Sequence, residues 1–217
     1  MNKSVDAFVG VRSGSQRVKN KNTKPFGDTT LLDLKLETLK QVSNLKNIIV
    51  SSDCDNMLSI AKNHGVDTHK RSVYHASNEC TNSEYFEMIA DVVESENVMY
   101  APVTSPFVSV ETFNTCLAKF QTCDSLITTS LVKHHMWMNG SPLNYDISNS
   151  PNSQDLPDIH ALNYGCALIS KQDIKKFKNI VTNTPTFYVL DEIESIDIDT
   201  NLDFVFAEYL NKKIGSE

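Results

Sequence analysis

No apolar run in these 217 residues approaches the ~20 that a membrane-spanning helix needs, so no such helix is expected. The N-terminus lacks the apolar core of a secretory leader. The five cysteines, at positions 54, 80, 116, 123 and 166, form no CxxC pair and leave an odd one over. That argues against a disulfide framework or a zinc site and for reduced thiols in the cytoplasm. Neither GxxxxGK[ST] nor GxGxxG occurs, which removes the two commonest glycine-loop nucleotide sites. The six histidines make no HExxH, and the adjacent His134 and His135 cannot share a helix face. A GxSxG elbow is missing too, which argues against a serine hydrolase. Positive charge is in deficit: 20 Lys and Arg against 27 Asp and Glu, a net charge of −7. Nucleic-acid binders carry a basic footprint, so none is expected as a partner. Internal repeats and low-complexity tracts are absent.

What remains is an ordinary soluble composition, 40% hydrophobic and 22% charged, of a length that suits one domain or one domain with an appended arm. The apolar pattern alternates between short runs and helical stripes. Residues 5–11 (VDAFVGV), 47–53, 97–106 and 125–132 read as strands, and 31–42, 56–65, 82–95, 110–120 and 201–213 as helices. CALISKQDIKKF (166–177) reads as strand then helix, TFYVLD and SIDID as short strands, and Asn82 or Ser83 as the cap of the third helix. This alternation predicts a three-layer α/β/α sandwich with a mainly parallel, Rossmann-like sheet. Residues 134–162 stand apart: rich in Pro, Asn, Ser and His, poorly periodic, and holding the only tryptophan, Trp137.

Within this acidic chain, a quarter of the positive charge falls in one loop. Between Ala7 and Gly27 lie Arg12, Arg17, Lys19, Lys21 and Lys24 without one acidic residue. The loop follows the first strand, where open α/β sheets bind ligands. Gly14, flanked by Ser13 and Ser15, lets backbone N–H groups approach an anion, while Arg12, Arg17 and Lys21 supply charge. A solvated surface loop is the plainer alternative. The opposite imbalance occurs near the C-terminus, where 179–211 contains no Lys or Arg. There SIDIDT sets Asp197 and Asp199 two apart on an extended segment, so both carboxylates face one side. Such a pair repels unless a cation sits between, and hard oxygen ligands suit Mg²⁺ or Mn²⁺; a solvated acidic edge strand is the alternative. Asp203 reads instead as the partner of Thr200 in a capping box. Together, a basic loop and a carboxylate pair suggest metal-assisted chemistry on a nucleoside triphosphate. A third stretch, VTSPF (103–107), ends a strand in the hydroxyls of Thr104 and Ser105.

These segments, in this order, resemble the acylneuraminate cytidylyltransferases. RSGSQRVKNKN is similar to their N-terminal signature ARGGSKxxxxKN, IIVSSD to their second strand, and KRSVYHASNECTNSE to their arginine-led substrate segment. VTSPF matches their TSP element, and ESIDIDTNLDFVFAE their closing motif. The resemblance implies a fold of the nucleotide-diphospho-sugar transferase type. It implies an enzyme that couples CTP to a 2-keto-3-deoxy nonulosonic (sialic-acid-like) sugar and releases pyrophosphate. Arg12, Ser15 and Lys21 would hold the triphosphate, Asn22 the nucleotide, and Asp197 and Asp199 Mg²⁺. Arg71 would position substrates, and Thr104 and Ser105 would line the pocket. The family is dimeric, with an arm reaching into the partner's site, a role that would fall to 134–162. Three positions depart from the pattern: Gln16 replaces a frequent Lys, Pro102-Val103 replaces a pair that supplies a Gln, and Tyr164 stands where many members have a sugar-contacting Asn. Proline has no side-chain donor, so cytosine recognition must come from elsewhere. The alternatives are a Kdo-activating or other-base nucleotidyltransferase, or a catalytically silent sugar-nucleotide-binding protein of the same fold.

Overall fold

The computed structural model describes residues 2–15 and 17–214, and Gln16 lies outside them. The chain begins with strand β1 (Val5–Gly10) and a small hairpin of β2 (Pro25–Phe26) and β3 (Thr29–Thr30). Helix α1 (Leu31–Lys40) starts at Thr30, whose hydroxyl accepts the Asp33 N–H, and buries Leu31, Leu32, Leu36 and Leu39 as its spacing predicts. Next come β4 (Ile48–Ser52), α2 (Asp55–Asn63), β5 (Asp67–Lys70) and α3 (Val73–Ala76). Helix α4 (Asn82–Val92) is capped by Thr81 rather than by Asn82 or Ser83. Thr81 and Glu84 close a reciprocal capping box, so the helix starts at Asn82 as expected, with its cap just before that residue. The rest runs β6 (Asn97–Tyr100), α5 (Val110–Phe120), β7 (Ser125–Val132), β8 (Trp137–Met138), β9 (Ser141–Pro142), β10 (Ile159–Ser170), α6 (Lys171–Phe177), β11 (Thr186–Val189) and α7 (Asn201–Ile214).

Seven strands form one sheet in the order β11-β7-β10-β6-β1-β4-β5. Only β10 runs against the others, pairing antiparallel with β6 and β7, so the expected mainly parallel sheet is present. The two faces follow from the period of two along each strand. Val5, Ala7 and Val9 of β1 join α1, α2, α5 and α7 in one core, while Phe8 joins α4 and α6 in the other. Two helical layers therefore enclose the sheet.

Three expectations are corrected. Strand β6 ends at Tyr100, not Ser105, because the chain turns at 103–104. Strand β10 starts at Ile159 and takes in the end of the irregular segment; its pairing shifts between Leu162 and Ala167, where Tyr164 adopts φ 54°. SIDID forms no strand: β11 already occupies the sheet edge, and 196–199 instead crosses the strand ends, tied by the Ile198 N–H to the Thr104 carbonyl (2.8 Å). Within 134–158, a β8–β9 hairpin turns on Asn139 and Gly140, both at positive φ (52° and 79°).

Candidate active site

The strand order reverses around β1 and β6, so a crevice opens beyond their C-terminal ends, where such sheets place ligands. The basic loop leaves β1 on one side of it, and residues 101–105 leave β6 on the other. Between them is a cavity of about 220 Å³ whose lining includes Arg12, Ser15, Arg17, Lys21, Asn22, Thr104 and Asp199. A second cavity of about 390 Å³ adjoins it, sharing Gly10, Val11 and Arg12, and is lined further by Arg71, Ser77, Asn78 and Tyr85. Arg12 is the common wall. Its guanidinium donates to the Ala76 carbonyl and the Asn78 side-chain oxygen, both at 2.9 Å.

Backbone and side-chain bonds hold the loop in shape. The Val11 N–H donates to Ser51, extending the β1–β4 ladder, and the buried Asn22 amide donates to the Arg12 carbonyl at 3.2 Å. Val18 is buried and plugs the loop into the core. Ser13 turns towards Asp53, and neither it nor Gly14 lines either cavity.

The acidic segment meets this loop directly. Ile198 is fully buried, which turns Asp197 and Asp199 outward on either side of it. Arg17 donates to Asp199 at 2.6 Å, and Lys21 donates to the Ile198 carbonyl at 2.5 Å. The Thr104 hydroxyl bonds the Asp197 carboxylate. Desolvation by the cleft wall pushes the Asp197 carboxyl above its ordinary range; the Thr104 bond opposes this and the Asp199 charge adds to it. Burial likewise lowers Lys21, although Asp197 and Asp199 pull it back up. Asp203 takes no part in the pair. Its carboxylate accepts the Thr200 and Asp199 N–H groups at 2.7 and 3.1 Å, the capping box that the spacing predicts.

The donor set at 197 and 199 suits a hard divalent cation: two neighbouring carboxylates, with the Thr104 hydroxyl beside Asp197. Among the described residues no three His, Cys, Asp or Glu converge into a closed cage. A cation bound here would take two protein ligands and leave its remaining coordination to other oxygens, which suits Mg²⁺.

Arg71 is 5% exposed, and its Nε is the one fully buried side-chain polar atom among the described residues without a partner. Its other nitrogens reach the Val11 carbonyl and the Tyr85 hydroxyl, and its guanidinium lies 5.4 Å from the Tyr85 ring. An unpaired N–H on a buried guanidinium is costly unless something else accepts it. Ser105 is buried in the turn after β6, with its carbonyl accepting from Lys35 at 2.8 Å. Tyr164, 39% exposed on β10, lines neither cavity.

Several site residues escaped the sequence reading: Lys35, Asp53, Asn78, Tyr85 and Tyr100. Asp53 ends the quoted IIVSSD run, but a lone carboxylate after a strand carries no signal of its own. Lys35 looked like a polar position on an amphipathic helix.

Comparison with known proteins agrees with this architecture. The Cytidylyltransferase family matches residues 7–135. Post-translational flagellin modification protein B of Campylobacter coli is 23% identical over 94% of both chains. The N-acylneuraminate cytidylyltransferase of Escherichia coli O18:K1:H7 is 25% identical over 98% of this chain, which spans 53% of that longer protein. Among solved structures, a CMP:2-keto-3-deoxy-manno-octonic acid synthetase complexed with CTP superposes with a TM-score of 0.70 over 98% of this chain and all of the other, at 10% identity.

Proposed function

This chain belongs to the cytidylyltransferase family, and we propose that it transfers CMP from CTP to a 2-keto-3-deoxy nonulosonic acid, releasing pyrophosphate. The observation that carries this reading is the meeting of opposite charges at one crevice: Arg12, Arg17 and Lys21 from the loop after β1, and, from the segment before α7, Asp199 lining the crevice with Asp197 close to Lys21. A triphosphate with a divalent cation answers both halves. The N-acylneuraminate relative and the sugar-acid synthetase fold support a sugar acid as acceptor.

In this mechanism the lobe of about 220 Å³ takes the phosphates. Arg12, Ser15, Arg17 and Lys21 bind their oxygens, and Asn22 and Thr104 fix the nucleotide's position. The acceptor's anomeric hydroxyl attacks the α-phosphorus in line. A C–O–P bond forms as the bond to the β-phosphate oxygen breaks, and the hydroxyl proton leaves to solvent. The residues contribute positioning and charge rather than covalent chemistry. Mg²⁺, or Mn²⁺, held by Asp197 and Asp199, would neutralise charge on the triphosphate and on the leaving pyrophosphate. The second lobe takes the base. The Ser77 hydroxyl and the Asn78 amide offer hydrogen-bonding groups matched to a cytosine carbonyl and amine, and the Arg71 side chain lines the same lobe. That arrangement needs no glutamine at Pro102-Val103.

We further assign 134–162 as a dimerisation arm of a single-domain cytoplasmic enzyme. It presents Trp137, Met138, Leu143 and Ile147 to solvent, an apolar surface that a second copy would cover. Among the described residues no helix is long and apolar enough to cross a membrane. Pyrophosphate release with CTP, UTP, ATP and GTP, each against nonulosonic and octulosonic acids, tests the assignment. CTP with a nonulosonic acid should dominate. Turnover confined to the octulosonic acid would reassign the acceptor, and equal release from all four nucleotides would remove the cytidine assignment.

A further inference from the structure

Strands β1 and β4 are parallel neighbours with Gly10 opposite Ser51, so the chain leaving β4 runs beside the start of the basic loop. At that point Asp53 clasps Ser13 with both carboxylate oxygens: Oδ1 accepts the Ser13 N–H at 3.0 Å, and Oδ2 accepts its hydroxyl at 2.6 Å. Asp53 is itself held in place. The Ser52 hydroxyl accepts the Cys54 N–H at 3.0 Å, the Lys70 ammonium donates to the Asp53 carbonyl at 2.9 Å, and the Arg71 N–H donates to the Ser52 carbonyl at 2.9 Å. Ser13 is thus fixed between Arg12, which walls both lobes, and the stretch leading to Ser15 and Arg17.

The charge of Asp53 makes its position a puzzle. Partial burial pushes its carboxyl up, but the two bonds from Ser13, with Arg71 nearby, outweigh this and hold it below the ordinary range. An ionised carboxylate therefore stands at the head of a loop that binds a polyanion, where Coulomb repulsion alone would oppose the ligand.

We propose that Asp53 is a positioning residue of this site: by clasping Ser13 it aims Arg12 and Ser15 at the triphosphate, a gain in geometry that outweighs its own repulsion. This rests on the cytidylyltransferase reading above. It also accounts for Ser13 facing away from the cleft while Arg12 and Ser15 line it.

The two views of Asp53 predict opposite signs. A bystander carboxylate, once removed, leaves a more positive loop that binds CTP more tightly. A positioning carboxylate, once removed, leaves a loosened loop that binds CTP more weakly. CTP affinity by calorimetry, with KM and kcat in parallel, should be measured for Asp53→Ala, Asp53→Asn, Ser13→Ala and the double variant Ser13→Ala/Asp53→Ala. Asp53→Ala is expected to weaken CTP on the order of tenfold, since two hydrogen bonds to a charged acceptor are lost. KM should rise more than kcat falls. Asp53→Asn, which keeps an acceptor for the Ser13 N–H, should lose less, and the double variant should be no worse than Asp53→Ala alone. If Asp53→Ala fails to fold, the isosteric Asp53→Asn carries the same sign test. Tighter or unchanged CTP binding in Asp53→Asn overturns the proposal, as do Ser13 and Asp53 effects that multiply independently. Wild-type protein that binds no CTP would overturn the function itself, whereas active wild type with a tighter Asp53→Asn would overturn only the role of Asp53.

Discussion

Replacing Lys35 with methionine should make the protein more stable at neutral pH and less stable at alkaline pH. Lys35 lies in the middle of α1, fully buried. Its ammonium donates to the Ser105 carbonyl at 2.8 Å and stands 4.9 Å from the centre of the Phe113 ring. No carboxylate forms an ion pair with it among the described residues; burial is the largest influence on it, with Cys166 and Glu194 acting in the opposite direction. Burial pushes its pKa from the ordinary 10.5 down to about 7. Between those values the unfolded chain carries the proton and the folded chain does not, so stability rises with pH across that window. At about 1.4 kcal/mol per pH unit the full effect is on the order of 5 kcal/mol, acting against the fold below pH 7 and absent above 10.5. Methionine matches the lysine stem in length and abolishes the titration, but leaves the Ser105 carbonyl unpaired at a cost of roughly 1–3 kcal/mol. Lys35→Met should therefore be more stable than wild type by about 2–3 kcal/mol near pH 7 and less stable by about 1 kcal/mol near pH 10. Urea denaturation of both proteins from pH 6 to 10 tests this, because groups common to both cancel in the difference. A stability difference that does not change with pH would refute the reasoning.

Asp199→Asn should lower kcat by about 10²- to 10³-fold and raise the Mg²⁺ requirement, with thermal stability held within a few degrees. Asp197→Asn should behave similarly, the double variant being scarcely worse than either; steady-state kinetics with Mg²⁺ titration tests this, and a kcat within twofold of wild type removes Asp199 from the site. Trp137 is 54% exposed, its indole N–H donating to the Tyr145 hydroxyl at 2.8 Å, so Trp137→Ala should shift the oligomer towards monomer in sedimentation without unfolding the sheet. Wild-type protein already monomeric at micromolar concentration would refute the arm.

What the sequence determined by itself was periodic or compositional. Leu31, Leu32, Leu36 and Leu39 marked one stripe of a helix because four apolar residues repeat at the helical spacing, and α1 buries all four. The charge imbalance of the first loop was visible because five basic residues without an acid form a pattern that counting detects. Asp197 and Asp199 could be paired because a spacing of two on extended chain needs only local geometry, whether or not a strand forms there. Tertiary structure alone decided the rest. It brought residues 12–22 and 197–199 together across the sheet end, a contact between segments about 180 residues apart that no local spacing encodes. It turned Ser13 away from the crevice towards Asp53, because β4 runs beside β1. It also drew Lys35, to all appearance a surface lysine, fully into the core beneath Ser105. Helical phase gives a side chain its direction, but whether water or protein lies there depends on how α1 packs beside α5 on the sheet, a decision the whole chain makes at once.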